Sequence, residues 1–114
     1  MTAEIDIQNA IRREVAKQGH FIYRANVGKV RMQDGRWFDT GLPSGFPDTF
    51  GFRSTDKQIF FIEVKNEKGK PRDVQVRFHE FLTKQNVIHG IARSAEDALK
   101  IVEEGLIGYG FKEE

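Results

Sequence analysis

Ile59-Phe60-Phe61-Ile62 is an unbroken apolar, β-prone run, and it passes at once into Glu63-Val64-Lys65. Such a run suits a strand buried on both faces. Side chains alternate along a strand, so Glu63 and Lys65 share the face of Ile59 and Phe61. Charges set there are costly without partners. Any fold available to this chain must therefore bring partners to them.

The segment upstream supplies one. Asp48-Thr49-Phe50-Gly51-Phe52-Arg53 reads as a strand, and Ser54-Thr55-Asp56-Lys57 is polar enough to be a turn. A hairpin closed between Arg53 and Gln58 sets Phe52 opposite Ile59, Phe50 opposite Phe61 and Asp48 opposite Glu63. Two carboxylates would then lie roughly 5 Å apart across the ladder, where like charges destabilise each other. A hard divalent cation bound through oxygen atoms is the simplest positive partner, with Lys65 alongside as a point charge.

The rest of the chain reads as support for this hairpin. Thr2 is placed to cap a helix from about Ala3 to Gln18, stopped by Gly19, with Ile7, Ile11 and Val15 as its buried stripe. Glu4 falls within that stripe. It can serve the carboxylate site or simply interact with the helix dipole. His20 to Asn26 reads as a strand, and Val27 to Met32 as another or as its bent continuation, with an Asp34-Gly35 hairpin turn between Met32-Gln33 and Arg36-Trp37-Phe38. Trp37 there either stacks on an unpaired base or, more commonly for such a residue, covers the apolar side of its hairpin. The loop from Gly41 to Pro47 can admit a phosphate backbone close to Asp48.

After the central hairpin, Pro71 suits a helix's first turn. That helix should bury Val74, Phe78, Phe81, Leu82 and Gln85, with Gln75 at the edge of its face. Val87 to Ala92 is a short strand, Ser94 caps a helix from Ala95 to Glu104 ended by Gly105, and Leu106 to Phe111 reads as an edge strand or subunit contact. The histidines have no metal-binding helical spacing, so all three read as structural, with His79 on the surface and His20 and His89 flanking strands.

With 114 residues and ten Phe the chain should form a single domain with a modest core. No apolar run approaches a membrane span, and the N-terminus does not resemble a signal peptide. Absence of cysteine excludes disulfides and thiolate chemistry, and fits a reducing, cytoplasmic setting. The net charge of +1 is unevenly divided. Residues 17 to 36 carry Lys17, Arg24, Lys29, Arg31 and Arg36 against Asp34 alone, and residues 65 to 77 carry Lys65, Lys68, Lys70, Arg72 and Arg77 against Glu67 and Asp73. Acids dominate from Ala95 to Glu114, including Glu113 and Glu114 beside Lys112. This is either a basic phosphate-facing surface or accidental clustering on a solvated one.

The order of a helix, strands, Pro47-Asp48, Glu63-Val64-Lys65, a helix, a strand and a helix resembles the PD-(D/E)xK nuclease superfamily. Within it the sequence is most similar to the VRR-NUC family, the virus-type replication and repair nucleases. The carriers are Glu4-Ile5-Asp6-Ile7-Gln8, Arg24-Ala25-Asn26-Val27-Gly28, Gly45-Phe46-Pro47-Asp48, Ile62-Glu63-Val64-Lys65, and Gln75 followed by Phe78 and Leu82. The resemblance runs from about residue 4 to 100. It implies an α/β fold with a restriction-endonuclease-like core, a mixed β-sheet flanked by helices in αβββαβα order, filling residues 1–114 as one VRR-NUC-like domain. It also implies a Mg²⁺- or Mn²⁺-dependent endonuclease. Asp48, Glu63, the Val64 carbonyl and Glu4 would bind the metal, Lys65 would orient or deprotonate the attacking water, and Gln75 would hold Lys65 or that water. Arg24, Lys29, Arg31, Arg36 and Lys70 would contact DNA. Small stand-alone members look like homodimeric enzymes that resolve branched DNA, so a four-way (Holliday) junction is the expected substrate ahead of a flap. A catalytically silent DNA-binding module is the alternative.

Overall fold

The computed structural model describes residues 1–111; Lys112, Glu113 and Glu114 of the acid-rich end lie outside the described residues. The elements run α1 (Glu4–Lys17), β1 (Phe21–Arg24), β2 (Lys29–Arg31), β3 (Trp37–Asp39), β4 (Thr49–Phe52), β5 (Ile59–Val64), α2 (Asp73–Lys84), β6 (Ile88–Ala92), α3 (Ala95–Glu104) and β7 (Ile107–Tyr109). Five strands form one mixed sheet in the order β1-β4-β5-β6-β7, while β2 and β3 pair only with each other. The expected α/β architecture, a mixed sheet flanked by helices, is therefore the one observed.

Alternation along β5 divides the molecule into layers. Phe60, Ile62 and Val64 pack with Ile7, Ile11 and Val15 of α1 and with Ala98, Ile101 and Val102 of α3. The opposite face, carrying Phe61 and Glu63, is covered by α2. At about 25 cal/mol per Å² of apolar area, the first face supplies most of the hydrophobic drive, which leaves the second free to hold polar groups.

The central hairpin has the register read from the sequence, with Phe52 opposite Ile59 and Phe50 opposite Phe61. The ladder stops one residue short of Asp48, at Thr49 opposite Ile62. Beyond β5 the pairing with β6 is parallel, with Phe61 beside His89 and Glu63 beside Ile91. The edge strand at the C-terminal end pairs in parallel with β6. Ser94 caps α3 by accepting the Asp97 N–H, and Gly105 ends that helix in the left-handed conformation.

Two expectations are corrected. Thr2 does not cap α1: its amide and hydroxyl donate to the Glu67 carboxylate, and Ala3 occupies the cap position. These bonds hold Thr2 one residue before the cap position, where its hydroxyl oxygen would have accepted a first-turn N–H. The buried stripe of α2 is also rotated, centring on Gln75, His79 and Leu82, while Phe81 is 53% exposed. Phe78 and Phe81 instead join a string of ring contacts with Phe46 and Phe61 along the helix's side.

Candidate active site

The site forms where β4 begins and β5 ends. Asp48 is pinned twice: its carbonyl accepts the Ala25 N–H at 2.8 Å, and its Oδ2 accepts the Val64 N–H at 2.8 Å. The segment before it is held as firmly. Pro47 is fully buried, and Phe46 packs edge-on against Phe61. Gly45 has φ +90°, and a Cβ there would lie 2.3 Å from the Val74 carbonyl oxygen, so the loop can touch α2 only as glycine.

Glu63 is fully buried. Its Oε2 accepts a 2.7 Å hydrogen bond from Gln75 Nε2, and Gln75 Oε1 accepts the Arg72 N–H at 2.8 Å. Gln75 thus ties the open N-terminus of α2 to the carboxylate; it serves Glu63, whereas the expected contact was with Lys65 or water. Lys65 is also buried, its Nζ lying 3.9 Å from Glu63 Oε2. That is an ion pair without a tight hydrogen bond.

Burial, and then the negative charge of Glu63, push the Asp48 carboxyl up to about 7, against the Val64 N–H and Lys65. Burial also raises Glu63, opposed by its hydrogen bond with Asp48 and by Lys65 and Arg72. The Asp48 carboxyl is therefore only partly ionised near neutral pH. Two buried acids brought together in this way lack positive charge.

A divalent cation fits that deficit on a further observation: Glu63 Oε1 is buried with no hydrogen-bond partner. Among the described residues, however, no three His, Asp or Glu side chains group closely enough to hold a metal by themselves. A hard cation here would need backbone or water oxygens to complete its shell. Glu4 is exposed at the start of α1, and its Oε2 would lie 3.0 Å from a Cβ on Gly69. Its negative charge reaches Glu63.

Around the site, Arg24 is exposed at the end of β1, opposite Thr49. Lys70 is exposed after the Asn66–Gly69 turn, which Arg93 holds by donating from Nη1 to the Asn66 and Gly69 carbonyls at 2.6 and 2.7 Å. Lys29 and Arg31 are exposed on β2, and the Arg31 guanidinium lies 5.3 Å from the Trp37 ring centre. Trp37 stays 61% exposed, so it does not cover an apolar side of the hairpin as expected. Arg36 is tied to Asp34 of its own turn at 2.8 Å.

Sequence reasoning missed His79 and His89. His79 is buried, not on the surface, and its Nε2 lies 3.7 Å from Glu63 Oε1. Its Nδ1 meets His89 Nδ1 at 2.6 Å. Burial pushes both rings down to about 4. The available signal was spacing: His79 follows Gln75 by one helical turn.

The comparisons bear on this geometry. The family model described as VRR-NUC domain matches residues 2–96, and the chain belongs to that family. It is a nuclease-type, DNA-processing domain. A solved structure titled "VRR_NUC domain" has a TM-score of 0.66 at 24% identity, covering 93% of this chain and 100% of the other, a likeness of fold. A search of curated proteins found no match. Among the described residues no helix is long and apolar enough to cross a membrane.

Proposed function

We propose that this chain is a metal-dependent, structure-specific DNA endonuclease that cuts branched DNA, four-way junctions in preference to flaps. The observation that carries the reading is the convergence of Asp48, Glu63 and Lys65 at one buried strand end, with Asp48 raised to about 7 and Glu63 Oε1 unpartnered. Asp48, Glu63, the Val64 carbonyl and Glu4 would hold Mg²⁺ or Mn²⁺. When bound, the ion supplies Lewis-acid stabilisation of charge on the phosphate and acidifies water.

The chain's own residues do the rest. Gln75 fixes the rotamer of Glu63, and the Val64 N–H fixes that of Asp48. Lys65, a cation walled in by protein, offsets charge on the scissile phosphate and orients the attacking water, where low dielectric strengthens both effects. Arg24, Lys29, Arg31 and Lys70 contact the DNA backbone, with a smaller part for Arg36.

Homodimerisation is supported by an exposed aromatic face. Phe21 and Tyr23 of β1 are 45% and 49% exposed; Phe21 stacks on Phe52 and Tyr23 meets Phe50 at a tilt, beside Ile59, itself 46% exposed. A second copy covering this face would set two sites about a two-fold axis, which suits paired cuts in a junction.

The test incubates the pure protein with labelled four-way junction, flap and linear duplex in Mg²⁺, Mn²⁺ or EDTA, beside Asp48→Ala and Lys65→Ala. We expect metal-dependent cutting of the junction, lost in both variants while their circular dichroism is unchanged. Equal activity in Asp48→Ala would overturn the site. Faster cutting of flaps would overturn the branch preference, and junction binding without cutting would favour a silent binding module.

A further inference from the structure

The β2–β3 hairpin stands outside the five-stranded sheet, yet both of its ends are tied to the candidate site. On the way in, Ala25 donates its N–H to the Asp48 carbonyl at 2.8 Å; on the way out, the chain runs through Phe46 and Pro47 to Asp48 itself. The Thr40 N–H closes the base of this arm on the Gly28 carbonyl at 2.9 Å, and the Met32 N–H closes its tip on the Arg36 carbonyl at 2.7 Å. From Ala25 to Arg31 the chain reaches at most about 20 Å. The arm therefore works within about six nucleotides of a phosphate held beside Asp48.

Pairing gives the arm two unlike faces. Arg31 lies opposite Trp37 and Lys29 opposite Asp39, so these share one face, while Val30 and Phe38 share the other. Asp39 turns its Oδ1 to the Gly41 N–H at 2.8 Å, and Asp34 of the turn is taken by Arg36. Lys29 and Arg31 outweigh Asp39, which keeps the face basic. Trp37 sits within it, 61% exposed, with the Arg31 guanidinium over one side of the indole at 5.3 Å from its centre. That contact sets the ring's orientation in advance and leaves its other side free. A base inside an intact duplex is stacked above and below and offers an indole nothing to cover. A base at a branch, where stacking is interrupted, does.

We propose that Trp37 is a branch-reading residue: its free side stacks on a base whose own stacking is broken at the branch, while Lys29 and Arg31 hold the flanking phosphates. The inference rests on the DNA-cutting function proposed above and deepens it by naming a residue that tells a junction from a linear duplex. Charge complementarity selects nucleic acid as the occupant of this face, and the flat ring selects a base within it. Phe38, on the opposite face with Val30, is nearly as exposed at 56% and serves as the control.

Trp37 is the chain's single tryptophan, so its fluorescence reports on this ring alone. The full chain is titrated, in EDTA and in Ca²⁺, with a four-way junction and with linear duplex of matched sequence, while anisotropy of labelled DNA measures binding. We expect the junction to quench Trp37 and shield it from acrylamide, and linear duplex to bind with the emission nearly unchanged. In anisotropy, Trp37→Ala should lose about tenfold on the junction and less than about twofold on the duplex. Trp37→Phe should recover most of that loss, and Phe38→Ala should match wild type. The salt slope should stay the same in Trp37→Ala, because an indole releases no counterions. Equal quenching by both DNAs would overturn the branch-reading role, as would junction binding without quenching, failure to bind either DNA, or equal losses in Trp37→Ala and Phe38→Ala. Should a variant fail to fold, the wild-type quenching still decides. The two readings fail separately: quenching without cutting in Mg²⁺ or Mn²⁺ would overturn the nuclease and keep the stacking ring, whereas cutting of junctions without quenching would do the reverse.

Discussion

Asp48 Oδ2 accepts the Val64 N–H at 2.8 Å, so a side chain closes the β4–β5 hairpin where the ladder has run out. The same carboxyl is raised to about 7 by burial and Glu63, so its folded value lies above the unfolded 3.8. Between those two values the unfolded chain has lost the proton while the folded one keeps it. Stability of the metal-free protein therefore falls as pH rises from about 3.8 to about 7, then levels, a loss on the order of 4 kcal/mol. Asp48→Asn keeps an acceptor for the Val64 N–H but cannot ionise. Urea denaturation across this range should show a shallower slope in the variant and a more stable protein at pH 8. Parallel curves would mean that Asp48 ionises freely.

Gln75 links two groups that would otherwise be unpaired, Glu63 Oε2 and the Arg72 N–H. Gln75→Leu preserves bulk and removes both bonds. It should cost about 2–3 kcal/mol by urea denaturation, because a buried carboxylate oxygen loses its donor. Gln75→Glu keeps the acceptor for Arg72 yet sets a third acid against Glu63. Its destabilisation should therefore grow with pH, whereas that of the Leu variant should grow less.

Why Gln75 and His79 face inward explains what was legible in the sequence. Alternation in Phe50, Phe52, Ile59 and Phe61, with one polar turn between them, contained the hairpin register, because each pair depends only on local spacing. The stripe of α1 was legible for the same reason. On α2 the apolar residues misled: Phe78 and Phe81 line the side of the layer, and polar Gln75 and His79 turn in because Glu63 and His89 wait on the sheet. That demand is set by the side chains on β5 and β6, not by the apolar pattern of α2 itself; its only trace there is the one-turn spacing of Gln75 and His79. Thr2 illustrates the same limit, since Glu67, which takes it from the cap, lies 65 residues away.

Gly45 allows the loop carrying Pro47 and Asp48 to lie against α2. A Cβ there would sit 2.3 Å from the Val74 carbonyl oxygen at φ +90°, and neither backbone can yield cheaply. Gly45→Ala should cost roughly 2–4 kcal/mol. Gly41→Ala, at φ +87° with nothing within 4 Å, isolates the conformational part and should cost only about 1 kcal/mol. Thermal melts of the two variants give the comparison, and equal losses would remove the packing role.

The β2–β3 hairpin pairs only with itself and presents Lys29 and Arg31 to solvent. If these side chains neutralise two phosphates, Lys29→Ala with Arg31→Ala should reduce the slope of log affinity against log salt by about 2. Arg36→Ala should change it less, since Asp34 already holds that guanidinium at 2.8 Å. Anisotropy titrations of labelled junction DNA between about 50 and 200 mM salt would measure both. An unchanged slope in the double variant would take the hairpin out of the DNA contact.

Phe21 and Tyr23 leave about half of each residue in water although both meet rings of the neighbouring strand. Single exposed apolar residues are ordinary, but a continuous aromatic face with Ile59 beside it marks an interaction surface. With the face as a self-contact, Phe21→Lys together with Tyr23→Lys sets like charges against their own copies across a two-fold axis. Sedimentation should then give a dimer for the wild type and a monomer for the variant, at similar helix and sheet content. Junction cutting should fall at least tenfold while binding of linear duplex persists, because each protomer keeps its own Asp48 and Glu63 but loses the second site. A wild-type protein that sediments as a monomer at every concentration would assign the face to another partner.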